Sequence, residues 1–138
     1  MTTLLAQLFS LEKDFQVDTA RQEQGLSLLL NNNNNDKTSC VLVAESNHKA
    51  IAMCSIQVLI STAMGGEVGL LEDLIVDADH RYTGIGKALL VEAEAWCQQR
   101  GLLRLQLLAD RDNTKALDFY ARYGWLSTNL CALSRFMS

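Results

Sequence analysis

Leu4, Leu5, Leu8, Phe9 and Leu11 recur at the spacing of one helix face and predict a first helix over residues 3–11. A second is predicted over 19–30, with Asp18 placed to cap its first turn. The five asparagines at 31–35, followed by Asp36, combine low helix propensity with no apolar surface to bury, and predict an exposed loop. The period then shortens. Residues 40–45 form a short apolar run, and in 50–60 the side chains of Ala50, Ala52, Cys54, Ile56, Val58 and Ile60 share one face, as in a strand. Gly65-Gly66 suits a hairpin turn leading into a third strand over 67–76. Helical period returns over 84–100, with Ile85, Leu89, Ala93 and Trp96 as its stripe and Gly101 as its stop. A buried strand over 103–109, a helix over 113–123 ended by Gly124, and a final strand or hairpin over 125–136 complete the chain. Strands on both sides of helices predict an α/β (α+β) fold: one mixed central sheet flanked by helices, in a single domain spanning residues 1–138.

Composition narrows the function. With 49% apolar and 20% charged residues, the chain can build a core of ordinary size. Its longest apolar runs fall far short of the roughly 20 residues a membrane span requires. No basic leader precedes an apolar stretch near Thr2, Thr3 and Gln7, so no membrane partner and a cytoplasmic location are expected. A net charge of −4, without a Lys/Arg cluster longer than a pair, argues against nucleic acid and is compatible with a cationic substrate. Cys40, Cys54, Cys97 and Cys131 are widely spaced and never form C-x-x-C, so they are expected to be reduced and buried, with no metal or disulfide role. His48 and His80 are too isolated to suggest a metal site.

The most informative segment is Val76-Asp77-Ala78-Asp79-His80-Arg81-Tyr82-Thr83-Gly84-Ile85-Gly86-Lys87-Ala88. A strand ends, a polar turn follows, and a glycine-containing stretch opens a long helix. Such a connection aims unpaired N–H groups and the positive end of the helix dipole at one point, where a phosphate can be held. Gly84 and Gly86 allow close approach of a ligand to the backbone. The Walker pattern fails, since one residue separates the two glycines and Lys87 is followed by Ala88. The dinucleotide pattern G-x-G-x-x-G fails because Leu89 stands where the third glycine belongs.

Arg81-x-x-Gly84-x-Gly86, after a strand ending in Leu74-Ile75-Val76, resembles the acetyl-CoA signature of the GNAT superfamily of N-acetyltransferases. The segment from Asn113 to Trp125, with Ala116, Phe119, Tyr120 and Gly124 between them, is similar to the family's N-x-x-A-x-x-F-Y-x-x-x-G-[FW] stretch. Ala78 and Tyr82 replace the proline and glycine common in the family's turn, and the family's usual first strand is missing. The resemblance implies direct transfer of acetyl from acetyl-CoA to a primary amine of a small molecule in a ternary complex, with coenzyme A as product. It implies that Leu74 and Val76 contact the pantetheine through their backbone. Arg81, Thr83, Gly84, Ile85, Gly86 and Lys87 become the pyrophosphate loop, and Asn113 the residue beside the pantetheine arm.

A primary amine of pKa near 10.4 is only about 0.04% neutral at pH 7, a penalty of roughly 4–5 kcal/mol, so a base is needed. Glu72 is the candidate, directly or through a water. It lies with Asp73 in a carboxylate pair inside an apolar strand, and alternation puts the two on opposite faces. The segment resembles the L-E-D strand of small-amine acetyltransferases; a structural or solvent-facing carboxylate is the alternative. Tyr120 resembles the family tyrosine that returns a proton to the coenzyme thiolate, the alternative being a packed aromatic. Asn113 is equally a good N-cap. Glu12, Asp14 and Asp18 around Phe15 form a carboxylate cluster that could receive a cationic acceptor, or a solvated helix end. A protein or peptide N-acetyltransferase and a non-catalytic acetyl-CoA-binding module are the competing functions. The apolar 126–136 tail and the missing edge strand point to a homodimer.

Overall fold

The leucine spacing at the start of the chain folds as α1 (Thr2–Leu11) in the computed structural model, which describes residues 1–12, 14–35 and 37–137, the side chains of 32–35 excepted. After it come α2 (Thr19–Asn35), β1 (Ser39–Ser46), β2 (Lys49–Ser61), β3 (Gly66–Val76), a single 3-10 turn (Ala78–His80), α3 (Ile85–Arg100), β4 (Leu105–Leu107) and α4 (Thr114–Arg122). The chain divides into two compact units, Met1–Leu107 and Leu108–Ser138. Among the described residues, no helix is long and apolar enough to cross a membrane.

In the first unit the sheet runs β1-β2-β3-β4, antiparallel through β3, with β4 parallel to β3. A parallel neighbour requires a crossover, and α3 supplies it. Leu4 and Leu5 of α1 and Leu26 of α2 meet Met53 and Ile75 of the sheet, with Leu8, Phe9, Val41 and Ala50 packed around them. On α3 the buried residues are Leu89, Leu90, Ala93 and Cys97, and this helix packs on β1, β2 and β3. Each leucine so buried contributes about 1.5–3 kcal/mol relative to exposure. Met53 joins the α1–α2 cluster while the adjacent Cys54 interacts with Cys97 of α3, so β2 is covered on both faces. Burial raises the thiols of Cys40, of Cys54 to about 12 and of Cys97 to about 11, whereas Cys131 is exposed.

Several sequence expectations are corrected. The asparagines 31–35 are not a loop but the last turns of α2; Asp36, named with them, lies outside the described residues. Asparagine costs a helix only about 0.7 kcal/mol per residue, and extending a helix already nucleated is far easier than starting one. Strict one-face alternation in β2 fails: residues 51–56 are all buried, and Ile60 is 83% exposed. A strand covered from both sides has no polar face to reveal its period. The stripe of α3 is rotated from the expected one, with Cys97 buried and Trp96 half-buried. The predicted buried strand over 103–109 contracts to the three half-buried residues of β4. In the second unit, no strand forms over 125–137 among the described residues, and Leu126, Leu130, Leu133, Phe136 and Met137 are exposed.

Two glycines test this packing in opposite directions. A Cβ on Gly69 of β3 would lie 3.0 Å from Leu105 Cδ1 and 3.2 Å from Ile56 Cγ2, whereas one on Gly25 in α2 meets nothing within 4 Å. Gly69→Ala is expected to destabilise by about 1–3 kcal/mol through overpacking. Gly25→Ala is expected to stabilise by about 0.5–1 kcal/mol through helix propensity. Urea denaturation of both variants measures the contrast.

Candidate functional site

The site begins where β3 loses regular pairing. Its parallel register with β4 ends at Leu71↔Leu107. With β2 the register shifts between Ser55↔Glu72 and Met53↔Ile75, so Asp73 and Leu74 together oppose Cys54. This is a β-bulge, and Asp73 within it takes a left-handed φ of 56°. At the bulge Glu72 is exposed and Asp73 half-buried. Ser55, itself 1% exposed, donates through Oγ to the Glu72 carbonyl at 3.3 Å and to Asp73 Oδ2 at 3.4 Å. Desolvation first, then the neighbouring Glu72 carboxylate, lifts the Asp73 carboxyl to about 6, against the opposing pull of the Ser55 hydrogen bond.

Past Val76 the chain turns on Asp77. Its N–H donates to the Ile51 carbonyl at 2.7 Å, and its carbonyl accepts from His80 N at 2.9 Å. Its carboxylate accepts the Asp79 N–H at 2.9 Å, an Asx-type turn at the head of the 3-10 turn. That backbone donor, with smaller help from the Gln7 side chain, Lys49 and His80, outweighs desolvation and holds the Asp77 carboxyl below its ordinary value. Gln7 of α1 also accepts the Ala78 N–H on Oε1 at 3.1 Å. Arg81 Nε donates to the Val76 carbonyl at 3.0 Å, and Thr83 Oγ1 to the His80 carbonyl at 2.5 Å.

Gly84 then caps α3 with a φ of 87°, and no side chain closes the helix end. Open space surrounds a Cβ built there, so the left-handed backbone is what selects glycine. The first bond of the helix runs from Ala88 N to the Gly84 carbonyl at 3.0 Å, leaving the amides of Ile85 and Gly86 ahead of it. Such an end attracts an anion through both donors and dipole. Leu74, Val76, Arg81, Thr83, Gly84, Ile85, Gly86 and Lys87 thus lie on one continuous strand–turn–helix, with Glu72 at its head.

In the second unit, Asn113 Oδ1 accepts the Ala116 N–H at 3.1 Å and caps α4. Tyr120 sits near the other end of that helix, its ring 5.3 Å from Phe119 and 5.8 Å from Trp125. Its carbonyl accepts from Trp125 N at 3.0 Å across the left-handed Gly124. Of the carboxylates near Phe15, Asp18 is engaged at the head of α2, accepting Arg21 N at 3.2 Å and pairing with Arg21 Nε at 3.3 Å. Sequence reasoning missed Gln7, Ser55 and Asp77. The D-x-D spacing of Asp77 and Asp79 carried an Asx-turn signal, whereas Gln7 and Ser55 act across the fold and carried none.

Comparison with known proteins gives this geometry a context. Residues 5–125 match the family model of the acetyltransferase (GNAT) family. The chain is 30% identical over 96 residues to an aminoglycoside N(6′)-acetyltransferase type 1 of Acinetobacter haemolyticus, across 67% of this chain and 66% of that one. It therefore spans just under two thirds of the length of that curated relative. An apo crystal structure of an aminoglycoside antibiotic 6′-N-acetyltransferase from the same organism superposes with a TM-score of 0.71 at 26% identity, over 88% of this chain and 83% of that one. A predicted acetyltransferase from Clostridium acetobutylicum, crystallised with acetyl-CoA, shares the fold with a TM-score of 0.70 at 20% identity, over 81% of this chain and 73% of that one.

The two perturbed carboxylates predict opposite pH signatures. Asp73 is raised, so its charged form opposes folding; the cost is absent below the ordinary 3.8, grows to about pH 6 and then stays constant. Two pKa units correspond to roughly 3 kcal/mol, so Asp73→Asn is expected to gain up to that amount over wild type at pH 8 and nothing at pH 3.5. Asp77 is lowered, so it stabilises the fold above its ordinary 3.8, and this support is lost as pH falls through the folded value. Asp77→Asn is expected to be less stable than wild type at pH 7, with the gap closing below pH 4. Denaturant titrations at these pH values measure both.

Proposed function

Because the chain belongs to the acetyltransferase (GNAT) family, we propose that it is an acetyl-CoA-dependent N-acetyltransferase whose acceptor is the primary amine of a small molecule. The observation that carries this reading is the β3–turn–α3 segment, where an uncapped helix end follows a glycine in left-handed conformation and a turn pinned from several sides. A coenzyme diphosphate suits that end by charge and by hydrogen bonding. The amides of Gly84, Ile85 and Gly86, with Arg81, Thr83 and Lys87, would hold the pyrophosphate. Leu74 and Val76 would meet the pantetheine through their backbone on the stretch of β3 beyond its pairing with β4. Asn113 would stand beside the pantetheine arm.

Glu72, exposed on the bulged strand, is the proposed general base, directly or through a water. Asp73 beside it, titrating near 6, is the second candidate. Tyr120 would return a proton to the coenzyme thiolate as acetyl leaves for the amine nitrogen, the transfer being direct within a ternary complex. The aminoglycoside relative supports a polyamine-like or amino-sugar acceptor, and the net charge of −4 favours a cationic one. Residues 1–138 would act as one acetyltransferase domain, cytoplasmic and, given the exposed apolar side chains over 126–137, homodimeric.

A thiol-release assay with acetyl-CoA against polyamines, amino acids, aminoglycosides and peptides tests the reading. Acceptor-dependent release with a small amine is expected. Glu72→Gln is expected to lower kcat by about 10²- to 10⁴-fold, and Tyr120→Phe to lower kcat with little change in acetyl-CoA affinity. Peptide-only turnover would move the acceptor class, and saturable binding with no acceptor-dependent release would leave a silent coenzyme-binding module.

A further inference from the structure

Among the described hydrogen bonds of residues 78–84, the one that Ala78 N–H donates to Gln7 reaches α1; those of Asp79, His80 and Thr83 close within the turn itself, Arg81 binds back to Val76 at the end of β3, and the Gly84 carbonyl accepts from Ala88 in α3. Asp77 N on the Ile51 carbonyl anchors the entry, and beyond it the chain crosses exposed residues before reaching α3. Gln7 itself is fixed. It is half-buried on a helix whose Leu4 and Leu5 lie in the core with Leu8 and Phe9 packed beside them. Its amide oxygen accepts the N–H of Ala78, 71 residues away in sequence, and its side chain helps hold the neighbouring Asp77 carboxyl below its ordinary value.

We propose that Gln7 is a positioning residue for the coenzyme: from α1 it fixes the 77–80 turn, and through it the direction of the amides at 84–86. The inference rests on the acetyl-CoA reading given above. Removing the Gln7 amide frees the Ala78 N–H and takes a donor from Asp77, so the turn samples other conformations and the phosphate must order it on binding. Affinity for acetyl-CoA falls while the core, which the Gln7 amide does not fill, is kept.

The test uses Gln7→Leu and Gln7→Glu in the full chain, with acetyl-CoA affinity by calorimetry, thermal midpoint, and amide exchange at Ala78. Gln7→Leu is expected to weaken acetyl-CoA about three- to tenfold, to raise its KM with kcat nearly unchanged, and to speed Ala78 exchange, with the thermal midpoint close to wild type. In an Asp77→Asn background the same substitution is expected to cost less, since part of its effect runs through that carboxylate. Gln7→Glu places a second carboxylate against Asp77, with Asp79, His80 and Lys49 as the other charged or titratable groups around it. Its binding defect is expected to exceed that of Gln7→Leu at pH 8 and to shrink near pH 5, where a protonated glutamate can both donate and accept. Wild-type affinity in Gln7→Leu, or a loss that tracks the thermal midpoint with no pH rescue in Gln7→Glu, overturns the proposal. Failure of the wild-type chain to bind acetyl-CoA would instead remove the coenzyme reading, a result distinguished by the wild-type titration alone.

Discussion

A backbone that turns sharply between a strand and a helix must find partners for its donors, and Asp77 is where this chain meets that constraint. Its carboxylate takes the Asp79 amide, its carbonyl the His80 amide, and its own N–H goes to Ile51, while Gln7 takes the amide of Ala78. Each of these donors would otherwise be left to water. Charge is arranged in the same sense. The acidic side chain is spent on backbone donors at the entry of the turn, one turn of chain before the positive end of α3.

The bulge in β3 is the other half of the arrangement. One extra residue at Asp73–Leu74 re-aims the strand after its pairing with β4 has ended, and it brings one carboxylate out and the other half in. Ser55 steadies the distortion from the neighbouring strand. The partner strand of the bulge, β2, is itself held by α1 and α2 on one face and α3 on the other.

Element types were legible in the sequence wherever one periodicity dominated. The leucines of α1, the glycines bounding α3, Asp18 at the head of α2 and Asn113 at the head of α4 all read correctly, because caps and stripes are local signals. The strand–turn–helix with its two glycines was legible for the same reason. The asparagine run misled because propensity is a weak force against propagation of an existing helix. The face pattern of β2 was hidden by burial on both sides, and the bulge at Asp73 by the absence of a glycine where a left-handed residue was needed. Gln7 and Ser55 could not be found at all, since their partners lie 71 and 17 residues away and nothing in either neighbourhood marks them.

The thiols sort themselves chemically. Cys40, Cys54 and Cys97 are buried with their ionisation pushed upward, so at neutral pH they present almost no thiolate to an electrophile. Cys131 stands exposed in the second unit. A maleimide dye or spin label added to the native chain would therefore attach at a single position without engineering, giving a spectroscopic reporter in Leu108–Ser138.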